Sequence, residues 1–150
     1  MTPLRSIVNA LEKIAAGAFT RRRGKPDPTL PEAPLAGAPL RPRVKTYSAQ
    51  SGYVYQYVYR GYREDEGGTT YVFSVTRNRR DWIIVRMVLN HEILRTWEAR
   101  HGRTLRGVDR YAIAKLALFE YFDETTGDGV SPREPSVEDI ERYLQMLEGA

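Results

Sequence analysis

The stretch Tyr53-Val54-Tyr55-Gln56-Tyr57-Val58-Tyr59-Arg60 decides the fold, because four tyrosines alternate with smaller or polar residues over eight positions. A helix would scatter those rings around its circumference, whereas a pleated strand puts all four on one face. Residues 52–63 are therefore expected as a strand. The polar, glycine-ended run Glu64-Asp65-Glu66-Gly67-Gly68 then makes a turn, and Thr69–Thr76 alternates again with Tyr71, Phe73 and Val75 on one side. A second turn, Arg77-Asn78-Arg79-Arg80-Asp81, leads into the β-branched run Trp82–Leu89. Three successive strands joined by short turns predict an antiparallel meander.

Turns of five residues each, with Arg63 facing Thr69 and Thr76 facing Trp82, keep odd positions opposite odd ones. One face then holds Tyr53, Tyr55, Tyr57, Tyr59, Tyr71, Phe73, Val75, Ile83, Val85, Met87 and Leu89, and is read as the core. The other holds Val54, Gln56, Val58, Arg60, Val72, Ser74, Trp82, Ile84, Arg86 and Val88, too apolar for an ordinary wet surface.

The flanking segments read as helices. From His91 to Arg100, Ile93, Leu94 and Trp97 form an apolar side, and Gly102 supplies a stop. Asp109 is expected to cap a largely buried helix reaching Glu124, with Ile113, Leu116, Ala117, Phe119 and Phe122 turned inward. Ser136 caps a last helix with the stripe Val137, Ile140, Tyr143, Leu144 and Leu147. Before the strands, residues 3–19 carry Leu4, Ile7 and Leu11 at helical spacing, and six prolines between positions 26 and 42 deny the backbone both helix and sheet. The organisation is thus an N-terminal amphipathic helix (1–19), a Pro-rich linker (20–43) and an α+β domain (44–150). In that domain a three-stranded antiparallel β-meander is packed on C-terminal helices. The order helix, three strands, helix resembles the double-stranded-RNA-binding domain, from which the proline-rich insertion and the further helices depart.

Composition closes several functional classes. With no cysteine in 150 residues there is no disulfide, thiolate metal site or cysteine nucleophile. That suits a reducing cytoplasm, the expected location. No apolar run approaches the roughly 20 residues of a membrane span, and Glu12 and Lys13 interrupt the block a signal peptide would need. The spacing His91, Glu92, Arg95, Glu98, His101 imitates an extended zinc-protease motif, but arginine replaces the second histidine and has no lone pair to donate. Phosphate-loop, dinucleotide-fold, nucleophile-elbow and calcium-loop spacings are missing. No catalytic residue, metal or cofactor is therefore assigned.

Charge is uneven along the chain: residues 1–43 hold eight basic and three acidic side chains, 44–107 eleven and six, and 108–150 four and ten. Two binding functions follow. In the first, a non-enzymatic adaptor uses the mixed sheet face (Trp82, Ile84, Arg60, Arg86) and the N-terminal helix (Leu4, Ile7, Leu11) to meet a protein partner or a second copy, with peripheral membrane contact open to that helix. In the alternative, nucleic-acid phosphates are held by the arginine clusters Arg77, Arg79 and Arg80, and Arg103 and Arg106. An enzyme of unfamiliar motif stands third.

Overall fold

A computed structural model of the protein describes residues 35–124 and 132–149. The element order is β1 (Lys45–Ser48), β2 (Val54–Glu64), β3 (Gly68–Thr76), β4 (Trp82–Asn90), α1 (His91–His101), α2 (Gly107–Glu124) and α3 (Val137–Glu148). The expected N-terminal helix with Leu4, Ile7 and Leu11, and the first part of the linker, lie outside the described residues.

The architecture is α+β, but the antiparallel sheet has four strands in the order β1-β2-β3-β4, not three. The additional strand β1 pairs with β2 in the register Lys45↔Tyr57, Thr46↔Gln56, Tyr47↔Tyr55 and Ser48↔Val54. Its four residues are exposed except for half-buried Tyr47, so it shows no alternation from which it could be read. The turn back to β2 is closed by hydrogen bonds from the Gly52 amide to the Ala49 carbonyl at 3.0 Å and from the Ala49 amide to the Tyr53 carbonyl at 2.8 Å.

The parity expected from the tyrosine run holds in part: Val58 and Val72, expected on the opposite, mixed face, are buried as well, and Tyr59 and Ile83, expected in the core, are half-buried. Tyr55, Tyr57, Tyr71, Phe73, Val75, Val85, Met87 and Leu89 are buried, whereas Val54 and Arg60 are exposed and Trp82, Ile84, Arg86 and Val88 are half-buried. Burying a side chain such as Phe73 or Val85 contributes about 1.5–3 kcal/mol each. Tyr53 departs from the expected core: it precedes the first residue of β2 and is 41% exposed.

The β2–β3 turn is also tighter than five residues. Glu64 ends one strand and Gly68 begins the next, closed by the Asp65 amide donating to the Gly68 carbonyl at 2.8 Å. Ring contacts pair Tyr59 with Phe73 at 5.5 Å and Tyr62 with Tyr71 at 5.8 Å. Tyr57 also meets Phe73, edge-on at 6.4 Å. Gly61 of β2 adopts φ +123°, and a Cβ there would lie 2.6 Å from the Ala36 carbonyl oxygen. Only glycine tolerates both that dihedral and that approach.

Contacts divide the described chain into two compact units. One comprises 35–61 with 72–85, the other 62–71 with 86–124 and 132–149. In the second, α1 and α2 each pack on α3. Leu94, Trp97, Ile113, Leu118, Phe122, Ile140 and Tyr143 are buried there. On the outer edge of β4, Arg133 forms an isolated bridge opposite Met87, its amide and carbonyl bonding to the Arg86 carbonyl and the Val88 amide at 3.0 and 2.8 Å. Such a bridge occupies the middle of the strand edge.

Helix ends follow the expected signals with one change. Gly102 adopts φ +59° beyond α1, and Ser136 forms a capping box with Asp139 at α3. Asp109 is not the cap of α2. The helix begins at Gly107, and the Asp109 carboxylate reaches back to accept from the Arg106 amide at 2.9 Å. Leu147, expected on the buried stripe of α3, is 41% exposed.

Candidate functional site

The β3–β4 turn is ordered from its first residue. Thr76 is buried, and its hydroxyl accepts from the amides of Asn78 and Arg79 at 3.3 and 3.1 Å. Asn78 carries the rest of the turn: its Oδ1 accepts from the amides of Arg80 and Asp81, both at 2.9 Å, and its Nδ2 donates to the Asp81 carboxylate at 2.8 Å. Such side-chain-to-backbone bonds are the reason Thr and Asn favour turns. They hold Arg79 at φ +68°, the one non-glycine positive φ among the described residues. An L-residue there is strained by roughly 1–2 kcal/mol.

This turn displays Arg77, Arg79 and Arg80, all exposed. The Arg77 guanidinium lies over the Tyr53 ring, 4.3 Å from its centroid. Tyr53 in turn meets the buried Tyr55 edge-on at 6.4 Å. Beside them a pocket of about 200 Å³ is lined by Thr46 of β1, Val54 and Gln56 of β2, and Thr76, Arg77, Asn78 and Arg79. Thr46 and Gln56 are register partners, so their side chains point to the same face of the sheet.

Charge on this unit is one-sided. Residues 35–61 and 72–85 hold Arg41, Arg43, Lys45, Arg60, Arg77, Arg79 and Arg80 against Asp81 alone, and Asp81 accepts from Asn78. No carboxylate among the described residues pairs with Arg79 or Arg80. Among the described residues of this unit cations outnumber anions seven to one, and such an excess creates a field that attracts anions.

The other residues singled out from the sequence fall differently. Arg103 and Arg106 belong to the second unit, where they meet Glu148 at 2.9 Å and Asp109 at 3.4 Å; Arg103 also lies over the Trp97 ring. Of the mixed sheet face, Trp82 and Ile84 are half-buried, Arg60 is exposed, and Arg86 is half-buried in the second unit. The residues that sequence reasoning missed are Thr46, Tyr53, Gln56 and Asn78. The pair Thr76 and Asn78 carried a turn signal, whereas Thr46 lay on a strand too short to recognise.

Polar groups elsewhere brace helices. Glu141 Oε1 accepts from Trp97 Nε1 at 3.1 Å and faces His101 Nε2 at 2.8 Å, tying α1 to α3. Glu120 on α2 accepts from Arg142 at 2.5 Å and Tyr143 at 2.6 Å on α3. Burial alone would raise the Glu120 carboxyl, but those two donors outweigh it and hold it below its ordinary value. Burial and the same carboxylate push the Tyr143 phenol up. Glu98 accepts from the Leu105 amide at 2.7 Å, so it does not join His91 and His101, which stand at opposite ends of α1. Among the described residues no cluster of His, Asp or Glu is arranged to hold a metal, and no helix is long and apolar enough to cross a membrane.

The chain matches no family model, no curated protein and no solved structure.

Proposed function

We propose that the protein is a non-enzymatic binding module whose partner is nucleic acid, held through backbone phosphates at the β3–β4 turn. The observation that carries this is the exposed pair Arg79 and Arg80, unpaired with any carboxylate among the described residues, on a turn fixed by Thr76 and Asn78. Arginine forks suit phosphate oxygens, and a turn already in place loses little freedom on binding. The strained backbone at Arg79 is consistent with a position kept for something other than stability.

A protein partner or second copy docking on the sheet face is supported by one observation, the half-exposure of Val44 and Val54 beside that face. It ranks second because Trp82 and Ile84, its intended anchors, are half-buried.

The two functions separate by salt. Each phosphate contact contributes a slope of about −0.7 to −0.9 to log K against log salt. Replacing Arg77, Arg79 and Arg80 together by Gln should lower the slope's magnitude by about 2–3 units, while the pair Arg103→Gln and Arg106→Gln should leave it unchanged. Binding that is insensitive to salt, or that survives the triple change, would exclude the phosphate function and leave apolar docking.

A further inference from the structure

Resting on that function, we infer that the nucleic acid is RNA, with a phosphate held at Arg79 and the 2′-hydroxyl of the adjoining sugar held between Thr46 and Gln56. Three chemistries meet in the pocket beside the turn. Arg79 brings charge, and Val54, 50% exposed, brings an apolar surface. Thr46 and Gln56 bring neutral polar groups, opposite each other on β1 and β2 and turned to one face of the sheet. Val54, two residues before Gln56 on the same strand, shares that face. The other neutral groups of the wall are committed to the turn: the Thr76 hydroxyl accepts from its amides, and the Asn78 amide both accepts and donates within it. Neither the Thr46 nor the Gln56 side chain has a hydrogen-bond partner among the described residues.

A phosphate oxygen only accepts hydrogen bonds, whereas a hydroxyl and a primary amide each donate and accept. Thr46 and Gln56 are thus matched to a group that does both. The 2′-hydroxyl is such a group, and it is what distinguishes RNA from DNA at a protein surface. A ribose phosphate answers the whole wall: its anionic oxygens meet Arg79, its ring carbons lie on Val54, and its hydroxyl donates to the Gln56 carbonyl oxygen while accepting from Thr46. The volume of about 200 Å³, several times the ~30 Å³ share of one water molecule, leaves room for the sugar beside the phosphate. Deoxyribose offers Thr46 and Gln56 nothing at that carbon, so both would stay bonded to water and DNA would be held by its phosphate alone.

The test uses the full chain and fluorescence anisotropy with two labelled single strands of about 16 nucleotides at equal salt, one RNA and one DNA carrying uracil for thymine, so that only the sugar differs. The expected result is RNA binding roughly two- to tenfold tighter, the worth of one neutral hydrogen bond. Gln56→Leu together with Thr46→Val should erase that preference while DNA affinity and the salt slope stay as they were. Thr46→Val alone, on an exposed strand position where either residue suits the backbone, should lower it. Arg79→Gln should weaken RNA and DNA alike. Equal binding of the two strands, tighter binding of DNA, or an RNA preference untouched by both variants overturns the sugar assignment and leaves the phosphate function standing. Variants that lose RNA and DNA equally overturn it too, since Thr46 and Gln56 would then serve the phosphate or the fold. Failure of the parent chain to bind either strand overturns both readings.

Discussion

Replacing Arg79 by Gly should move stability and binding in opposite directions. At φ +68° an arginine is strained by roughly 1–2 kcal/mol, a strain that glycine does not feel. Glycine returns part of that gain by loosening the unfolded chain, about 0.4–1 kcal/mol. The net stabilisation is therefore about 0.5–1 kcal/mol, or roughly 1–4 °C in Tm for a chain of this length. Among the described residues the exposed side chain makes no ion pair that its loss would forfeit. Binding should fall, because one cation and one unit of salt slope disappear; at ~0.1 M salt that corresponds to about a fivefold loss. Thermal unfolding followed by circular dichroism, with anisotropy titrations on the same samples, measures both quantities. Arg79→Gln is the control that loses affinity without gaining stability. An Arg79→Gly protein that melts lower than the parent, or binds as tightly, refutes the account of the turn.

Three further outcomes follow from the packing. A Cβ on Gly68 would lie 2.5 Å from the Leu89 carbonyl oxygen, whereas one on Gly67 would meet nothing within 4 Å; Gly68→Ala should therefore cost about 1–3 kcal/mol and Gly67→Ala close to none in urea unfolding. Glu141→Ala leaves the indole N–H of buried Trp97 without its acceptor and should cost about 1–3 kcal/mol, whereas Glu141→Gln, which keeps an oxygen there, should cost distinctly less by the same assay. Glu120 and Asp139 both titrate below their ordinary values of 4.5 and 3.8, so the unfolded chain takes up protons first and stability drains as pH falls through and below that range. Unfolding curves between pH 6 and 3 should show the loss, and Glu120→Gln should flatten it.

Sequence alone was sufficient where a period could express itself. The tyrosine run marked Tyr55 and Tyr57 as inward and the second half of β4 alternates in burial, although β3 is buried at nearly every position; Gly102 and Ser136 marked helix ends through cap chemistry that needs no tertiary context. β1 was illegible because four mostly exposed residues have no inside and outside to alternate between. The demand for glycine at position 61 was hidden for a different reason: it comes from the close approach of the Ala36 carbonyl, a contact from outside the strand. At the site, the arginines were conspicuous but their arrangement was not. Whether a cation is committed depends on a carboxylate brought from elsewhere, as Glu148 is to Arg103 and, among the described residues, none is to Arg79. The stack of Arg77 on Tyr53 joins the start of one strand to the turn after another, a contact that no local pattern encodes.

The central claim is tested most directly by mapping where nucleic acid touches the full chain, using backbone amide chemical shifts recorded with and without a single-stranded oligonucleotide. The account predicts that the perturbed amides cluster at Thr76–Asp81, around Tyr53–Gln56 and at Thr46. Shifts confined to the α1–α3 surfaces around Arg103 and Arg106, or to Trp82, Ile84 and Arg86, would contradict it.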